Sequence, residues 1–228
     1  MTQPENAPDF ANLRRDYSKR SLDERDVHPD PVKQLVAWLR EAVDAGANEP
    51  NAMTLATCDT TGAPSARMVL LKSVDASGLS FFTNYHSRKA RELDANPRAA
   101  LVFYWPELER QVRIEGSVTR TTDAESDEYF HKRPLDARIG AAASPQSEIV
   151  ESRAILENQM QLLRQRHPAG DIPRPAHWGG YVFWIESAEL WTEGAARIHD
   201  RALYTRELTA RDDGTFAGGP WSATRLQP

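Results

Sequence analysis

Met53-Thr54-Leu55-Ala56-Thr57-Cys58, then Asp59-Thr60-Thr61-Gly62, then Ala66-Arg67-Met68-Val69-Leu70-Leu71-Lys72 is the stretch that decides the fold. Two short runs rich in branched and apolar residues flank a polar turn that ends in glycine, which reads as two strands joined by a turn. The pattern repeats downstream. Leu79–Thr83, Ala99–Trp105 and Gln111–Thr119 are rich in branched or aromatic residues, and Asp75-Ala76-Ser77-Gly78 supplies a further turn. Strands resume at Gly180–Ile185, Glu189–Trp191 and Ile198–Tyr204.

Helices lie outside and between these runs rather than alternating with them. Asp30-Pro31 opens one, proline being tolerated in a first helical turn, and Val32, Leu35, Val36, Leu39 and Val43 give it an apolar stripe. Ser87–Asn96 reads as a second, stopped by Asn96-Pro97. Residues 123–168 are mostly helical, most clearly over Ile149–Gln165, until Pro173 and Pro175 break the pattern. Hairpin-spaced strands with few βαβ alternations predict a mainly β fold with peripheral helices, an antiparallel barrel. Residues 1–30, polar and charged around Arg14-Arg15-Asp16-Tyr17, read as a mobile N-terminal arm, and 31–228 as one domain.

Composition narrows the function classes. The chain has 228 residues, 40% hydrophobic and 27% charged, as ordinary soluble domains have. Its longest apolar run, Ala99–Trp105, is too short to span a bilayer, so no membrane role is expected. A polar, proline-containing start predicts no secretory signal, and the single cysteine, Cys58, fits a reducing cytoplasm and reads as a small buried hydrophobe. The net charge of −5 argues against nucleic-acid binding, so any anion must be held by local basic clusters. Six histidines are scattered without metal-ligand spacing, which predicts no metal site. Trp38, Trp105, Trp178 and Trp184 read as packing residues.

Five constellations could carry chemistry. After Trp191 comes Arg197-Ile198-His199-Asp200-Arg201; if extended, Arg197, His199 and Arg201 share one face, which suits a flat, anionic, aromatic ligand. The alternative is a charged surface hairpin. In Arg67 through Lys72, Arg67, Val69 and Leu71 face one way and Met68, Leu70 and Lys72 the other; Arg67 and Lys72 could meet an anion at a barrel mouth, or Lys72 could snorkel to solvent. Thr83-Asn84 leads to Ser87-Arg88-Lys89, where Ser87 caps a helix. Cations in a first helical turn oppose the helix dipole, so Arg88 and Lys89 make electrostatic sense beside a bound anion, the alternative being a solvated helix face. Tyr129 and Arg133 are four apart and could clamp a phosphate, or form an ordinary surface pair. Gln111 and Gln146-Ser147 carry groups able to read a heterocycle's edge, but decide nothing alone.

Taken together and in this order, these segments, from about Arg14 to Arg225-Leu226-Gln227-Pro228, resemble the pyridoxamine/pyridoxine 5′-phosphate oxidases. The resemblance implies an FMN-binding split β-barrel, a homodimer with the flavin at the subunit interface. It implies a cofactor site of Arg67, Met68, Val69, Leu70, Leu71, Lys72, Phe82, Thr83, Arg88, Lys89, Gln111, Gln146, Ser147, Trp191 and Arg201. It implies a substrate site in which Lys72, Tyr129 and Arg133 take the phosphate, Arg197 and His199 lie against the pyridine ring, and Arg14, Arg15 and Tyr17 belong to an arm that covers them. Arg197 and His199 are then the catalytic pair, Arg197 holding the ring and His199 serving orientation or proton handling. Two positions depart from the family pattern. Residue 137 is Ala where a serine usually meets the substrate phosphate, and Thr192-Glu193 follow Trp191 where glutamine is common.

The activity implied is oxidation of pyridoxamine 5′-phosphate and pyridoxine 5′-phosphate to pyridoxal 5′-phosphate, with O2 reduced to hydrogen peroxide and ammonia released from the amine. Two other expectations stand beside it: a flavin oxidase of another reduced heterocycle, as in phenazine-type relatives, and a non-catalytic flavin- or haem-binding barrel.

Overall fold

The computed structural model of the chain describes residues 22, 27–75 and 78–228. Asp30 starts the first helix, α1 (Pro31–Asp44), by accepting the Val32 N–H on its carboxylate at 2.9 Å. The buried face of α1 is Pro31, Gln34, Leu35, Trp38 and Ala42. The helix is therefore rotated from the stripe expected of it: Val43 is 61% exposed, while the Trp38 indole takes the core and packs under the Arg110 guanidinium.

The strands are β1 (Ala52–Cys58), β2 (Pro64–Leu70), β3 (Ser73–Asp75), β4 (Gly78–Asn84), β5 (Arg98–Trp105), β6 (Arg110–Arg120), β7 (Trp178–Thr192), β8 (Asp200–Thr205), β9 (Leu208–Ala210), β10 (Phe216–Gly218) and β11 (Ser222–Leu226). All but β9 and β10, which pair with each other, join one sheet of order β11-β8-β7-β6-β5-β1-β2; β4 also pairs with β7, and β3 with β4. Every pairing is antiparallel, and the sheet curls into a split barrel. Gly180–Ile185 and Glu189–Trp191, expected as separate strands, are parts of the single strand β7. It pairs with β6 along one edge and with β4 and then β8 along the other, a shift at Glu115/Gly116 absorbing the change of twist.

The helical region at 123–168 is three helices, α3 (Asp123–Lys132), α4 (Leu135–Ala143) and α5 (Arg153–Arg166), while α2 (Arg88–Ala95) follows β4. A capping box of Thr122 and Glu125 starts α3, and Pro134 separates it from α4. The main core, with Leu55, Phe81, Phe103, Ile114, Phe183 and Leu190, lies between α1 and the sheet; a smaller one gathers Phe130, Ile139, Ile172 and Trp178 under α3 and α4. Trp38, Trp105, Trp178 and Trp184 are all buried. Cys58 is only half-buried, and its sulfur accepts a hydrogen bond from Asn96 Nδ2 at 2.9 Å, so it is not the enclosed hydrophobe expected. Leu22 and Val27 pack part-buried against the core, and the His28 carbonyl accepts the Tyr204 hydroxyl at 3.3 Å. Among the described residues no helix is long and apolar enough to cross a membrane.

One carboxylate ties α2 to the β1–β2 hairpin. Glu92 Oε2 accepts from Thr57 Oγ1, from Ser65 Oγ at 2.5 Å and from Arg67 Nη2 at 3.2 Å, and Oε1 accepts from Arg88 Nε at 2.8 Å. Burial raises the carboxyl's pKa, but the hydrogen bonds from Ser65, Thr57, Arg88 and Arg67 outweigh it and hold the group at about 2, against 4.5 when unfolded. A depressed folded pKa contributes stability that is complete above the unfolded value and is lost as pH falls toward the folded one. Glu92→Gln should therefore flatten the loss of stability between pH 4.5 and 2 and cost roughly 3–5 kcal/mol at neutral pH. Urea midpoints followed against pH check this; wild type and variant curves of the same slope would refute it.

Candidate functional site

The end of β4 and the start of α2 build a cation-lined corner. Ser87 caps α2 by accepting the Ala90 N–H at 3.4 Å, and the Arg88 N–H donates to Ser147 Oγ at 3.2 Å. The Lys89 ammonium is buried and donates to Thr83 Oγ1 at 3.1 Å, Gln146 Oε1 at 3.3 Å and Ser87 Oγ at 3.5 Å. These partners are neutral oxygens; among the described residues Lys89 has no carboxylate partner. Burial, with the nearby Arg67 charge adding to it, pushes its pKa down. Such a lysine gains from an incoming anion. Arg88 differs from the expectation set for it, because Glu92 one turn along already answers its charge. The electrostatic case for an anion thus rests on Lys89.

Beside this corner stands an aromatic stack. The Phe82 ring lies 4.1 Å from Tyr129 and 5.4 Å from Trp178 between centroids, all nearly parallel, and the Arg133 guanidinium lies 4.8 Å from the centre of the Trp178 ring. Arg133 Nη1 is buried without a hydrogen-bond partner, and burial pushes the guanidinium's pKa down while Tyr129 opposes the shift. Helix α3 stops at Lys132 and Arg133 is extended, so helical spacing does not bring Tyr129 and Arg133 together; their common neighbour Trp178 does.

Phe82 divides two cavities. One, of about 360 Å³, is lined by Thr83, Arg133, Ala137, Gln146 and Trp178 among others; the second, of about 390 Å³, by Lys72, Ser80, Tyr129 and Trp184. Lys72 lies just beyond β2 and is exposed, while Arg67 is drawn to Glu92, so these two do not meet at one mouth. The inward turn of Arg67 and Val69 and the outward turn of Met68, 60% exposed, follow the alternation read from the sequence.

A third group lies in register across three strands. Gln111 of β6 is opposite Trp191 of β7, which is opposite Arg201 of β8, so their side chains share a sheet face. Buried Glu189, two residues before Trp191, accepts Arg201 Nε at 2.8 Å and Arg113 Nη1 at 3.3 Å. Arg197 does not join this row as an extended residue. Ala196 and Arg197 adopt left-handed backbone angles, φ 55° and 64°, and β8 begins only at Asp200, so Arg197 is exposed on a turn. His199 stays with the row: its ring centre is 4.7 Å from Trp191, and Nδ1 accepts the Gly194 N–H at 3.3 Å.

The first and third groups sit at opposite ends of β7. Thr83 pairs with Gly179 and Arg201 with Trp191, twelve residues or about 40 Å apart along an extended strand. Arg14, Arg15 and Tyr17 lie outside the described residues. Sequence reasoning passed over Glu92 and Glu189, the carboxylates that aim the arginines. Glu92 was detectable four residues after Arg88 on a helix, and Glu189 two before Trp191 on a strand. Among the described residues no cluster of three or more His, Cys, Asp or Glu is placed to hold a metal.

Residues 39–167 match the pyridoxamine 5′-phosphate oxidase family, and residues 178–228 the pyridoxine 5′-phosphate oxidase C-terminal dimerisation region. The chain is 53% identical over 219 residues to the pyridoxine/pyridoxamine 5′-phosphate oxidase of Burkholderia mallei, covering 96% of this chain and 99% of the relative. The corresponding protein of Burkholderia thailandensis matches at the same identity and coverage. Among solved structures, PhzG from Burkholderia lata, in complex with tetrahydrophenazine-1-carboxylic acid, superposes with a TM-score of 0.83 at 30% identity over 92% of this chain and all of that one. A pyridoxamine 5′-phosphate oxidase-related, FMN-binding protein from Nostoc punctiforme, 18% identical with a TM-score of 0.61 over 89% of this chain and 99% of its own, shares the fold. Matched along nearly its whole length by named oxidases, the chain belongs to the pyridoxamine 5′-phosphate oxidase family.

Proposed function

We propose that the protein oxidises pyridoxamine 5′-phosphate and pyridoxine 5′-phosphate to pyridoxal 5′-phosphate as an FMN-dependent homodimer. The observation that carries this reading is a pair of cationic groups that have no carboxylate partner among the described residues, the buried Lys89 and the half-buried Arg133 with its enclosed Nη1, one on each of two neighbouring features. Two anion-seeking groups suit two phosphates, one on the cofactor and one on the substrate.

FMN fits the first. Lys89, Thr83, Gln146, Ser147 and the start of α2 would hold its phosphate, with Arg67 and Arg88 held nearby by Glu92. When bound, FMN supplies acceptance of a hydride from the substrate's exocyclic carbon and passage of the electrons to O2, giving hydrogen peroxide. The alcohol yields the aldehyde directly; the amine yields an imine that water hydrolyses, releasing ammonia. Arg133, Tyr129 and Lys72 would hold the substrate phosphate where the two cavities adjoin at Phe82, Arg133 reaching it from one side by its free Nη1 and Tyr129 and Lys72 from the other. Arg197, projecting from its turn, would hold the pyridine ring in line, with His199 beside it for orientation or proton handling.

Separation of the Thr83–Lys89 corner from the Gln111–Trp191–Arg201 row along β7 supports a shared site, in which one copy offers the phosphate corner and a second copy the row. The match of residues 178–228 to a dimerisation region supports it too.

A phenazine-type substrate is the second reading. It is favoured by the likeness to PhzG and by the methyl group of Ala137 facing the Arg133 cavity, which offers a phosphate no hydroxyl.

Protein loaded with FMN and supplied under air with pyridoxamine or pyridoxine 5′-phosphate should form pyridoxal 5′-phosphate and hydrogen peroxide in equal amounts. FMN binding without either product would move the search to other reduced heterocycles, starting with reduced phenazine carboxylates. Arg197→Ala should cut turnover while FMN stays bound, read by flavin absorbance after gel filtration; near-normal turnover would remove Arg197 from the reaction. Ala137→Ser adds a donor to a charged group worth roughly 1.5–3 kcal/mol, so KM for phosphorylated substrate should fall by about tenfold or more. An unchanged KM would mean that a neighbouring group or water already makes that contact.

A further inference from the structure

Arg174 stands between two prolines, Pro173 and Pro175, in the segment that joins α5 to β7. Its side chain is 9% exposed, yet all three guanidinium nitrogens are engaged. Nε donates to Asp127 Oδ1 at 2.6 Å, Nη2 to Asp123 Oδ1 at 2.7 Å, and Nη1 to the Trp178 carbonyl at 2.7 Å. One planar fork thus joins two carboxylates of α3 to the first residue of β7.

The elements it joins are the two that hold Arg133. Trp178 is the ring on which the Arg133 guanidinium rests, and α3 carries Tyr129 and ends at Lys132, directly before Arg133. The same helix has another tie to β7, where Ser126 Oγ accepts the Gly180 N–H at 3.4 Å. On a helix, Asp123 and Asp127 lie on one face and Ser126 about 100° round from Asp127. A single tie lets a helix roll about it, whereas two ties on different faces fix its rotation. Rotation of α3 decides how Tyr129 meets Phe82 and where Arg133 starts.

We propose that Arg174 is a positioning residue for the phosphate end of the substrate, fixing Tyr129 and Arg133 against Phe82 and Trp178 without touching the substrate. This rests on the reading of Tyr129 and Arg133 as phosphate-binding groups. Asp123 and Asp127 have side chains 93% and 50% exposed, so water takes over their solvation when Arg174 is replaced and no buried charge is stranded. Arg174→Gln is therefore compatible with folding, and Asp123→Asn/Asp127→Asn approaches the same contact from the other side.

In FMN-loaded protein both variants should raise KM for pyridoxine 5′-phosphate by about tenfold, the scale of one misplaced charge-assisted hydrogen bond. Turnover at saturation, FMN affinity by fluorescence quenching and kcat/KM for unphosphorylated pyridoxine should stay within about twofold, as expected when only binding at the phosphate end is lost. Arg174→Lys should recover part of the KM. In an Arg133→Ala background, Arg174→Gln should add little further, since both act on one contact. An unchanged KM, an equal loss for phosphorylated and unphosphorylated substrates, or full additivity with Arg133→Ala would overturn the positioning role. If wild-type protein does not favour the phosphorylated substrate at all, the phosphate reading of Tyr129 and Arg133 fails and takes this inference with it.

Discussion

Strand β7 is paired along most of its 15 residues, to β6 on one edge from Tyr181 to Thr192, and on the other to β4 from Trp178 to Phe183 and then to β8 from Ser187 to Thr192. A strand so paired cannot shift without breaking two ladders at once, so whatever hangs from its two ends is fixed in relative position. Its pairing depends on close backbone approach. A Cβ on Gly180 would come within 2.7 Å of the Phe82 ring, and one on Gly116, at the bulge facing β7, within 1.9 Å of the Trp184 carbonyl oxygen. Glycine at 180 is what lets Phe82 lie flat enough to reach Tyr129 and Trp178. The geometry of the aromatic wall between the two cavities is therefore set by the sheet, and the side chains settle on it.

Cations around these features fall into two kinds. Arg67 and Arg88 share Glu92, Arg201 is held by Glu189, and Arg174 by Asp123 and Asp127. Each is oriented, and its charge is largely answered within the fold. Among the described residues Lys89 and Arg133 have no such carboxylate, and both are buried enough for the charge to be disfavoured. Since the whole chain carries −5, long-range attraction of an anion is weak. On the proposed reading, binding would come from short contacts at these two places, where low local dielectric strengthens each one.

Strands and helices were legible where the local pattern and the long-range pairing agree. The β1–β2 turn, the Ser87 cap and the stop at Asn96 sit where the sequence puts them, because each is decided within a few residues. Where pairing decides, the sequence misleads. Glu186-Ser187-Ala188 has poor strand character and breaks β7 on paper, yet neighbours on both edges carry it through. The turn at Ala196-Arg197 uses left-handed angles at two residues that are not glycine, which no residue preference signals, so an alternation running from Arg197 to Arg201 looked sound and was not. Lys72, Tyr129, Arg133 and Ala137 were legible as a set but not as an arrangement, since Phe82, a residue of another strand, parts them between two cavities.

The same long strand explains why local spacing does not assemble the site that the family resemblance implies. Within one chain the phosphate corner and the Gln111–Trp191–Arg201 row are fixed at opposite ends of β7, so neither sequence spacing nor a single cavity brings them together. On the proposed reading an antiparallel second copy solves this with no change of fold: a two-fold axis sets the far end of one β7 near the corner of the other. Cofactor binding and assembly then become linked. A ligand that touches both copies stabilises the pair over the separate chains by its own binding free energy, growing with RT ln(1 + [L]/Kd). Rigid ends serve this better than flexible ones, because a half-site held in place by two ladders loses no further freedom when the other half arrives. The sheet pairing that prevents one chain from forming the whole site is thus what would prepare two chains to form it.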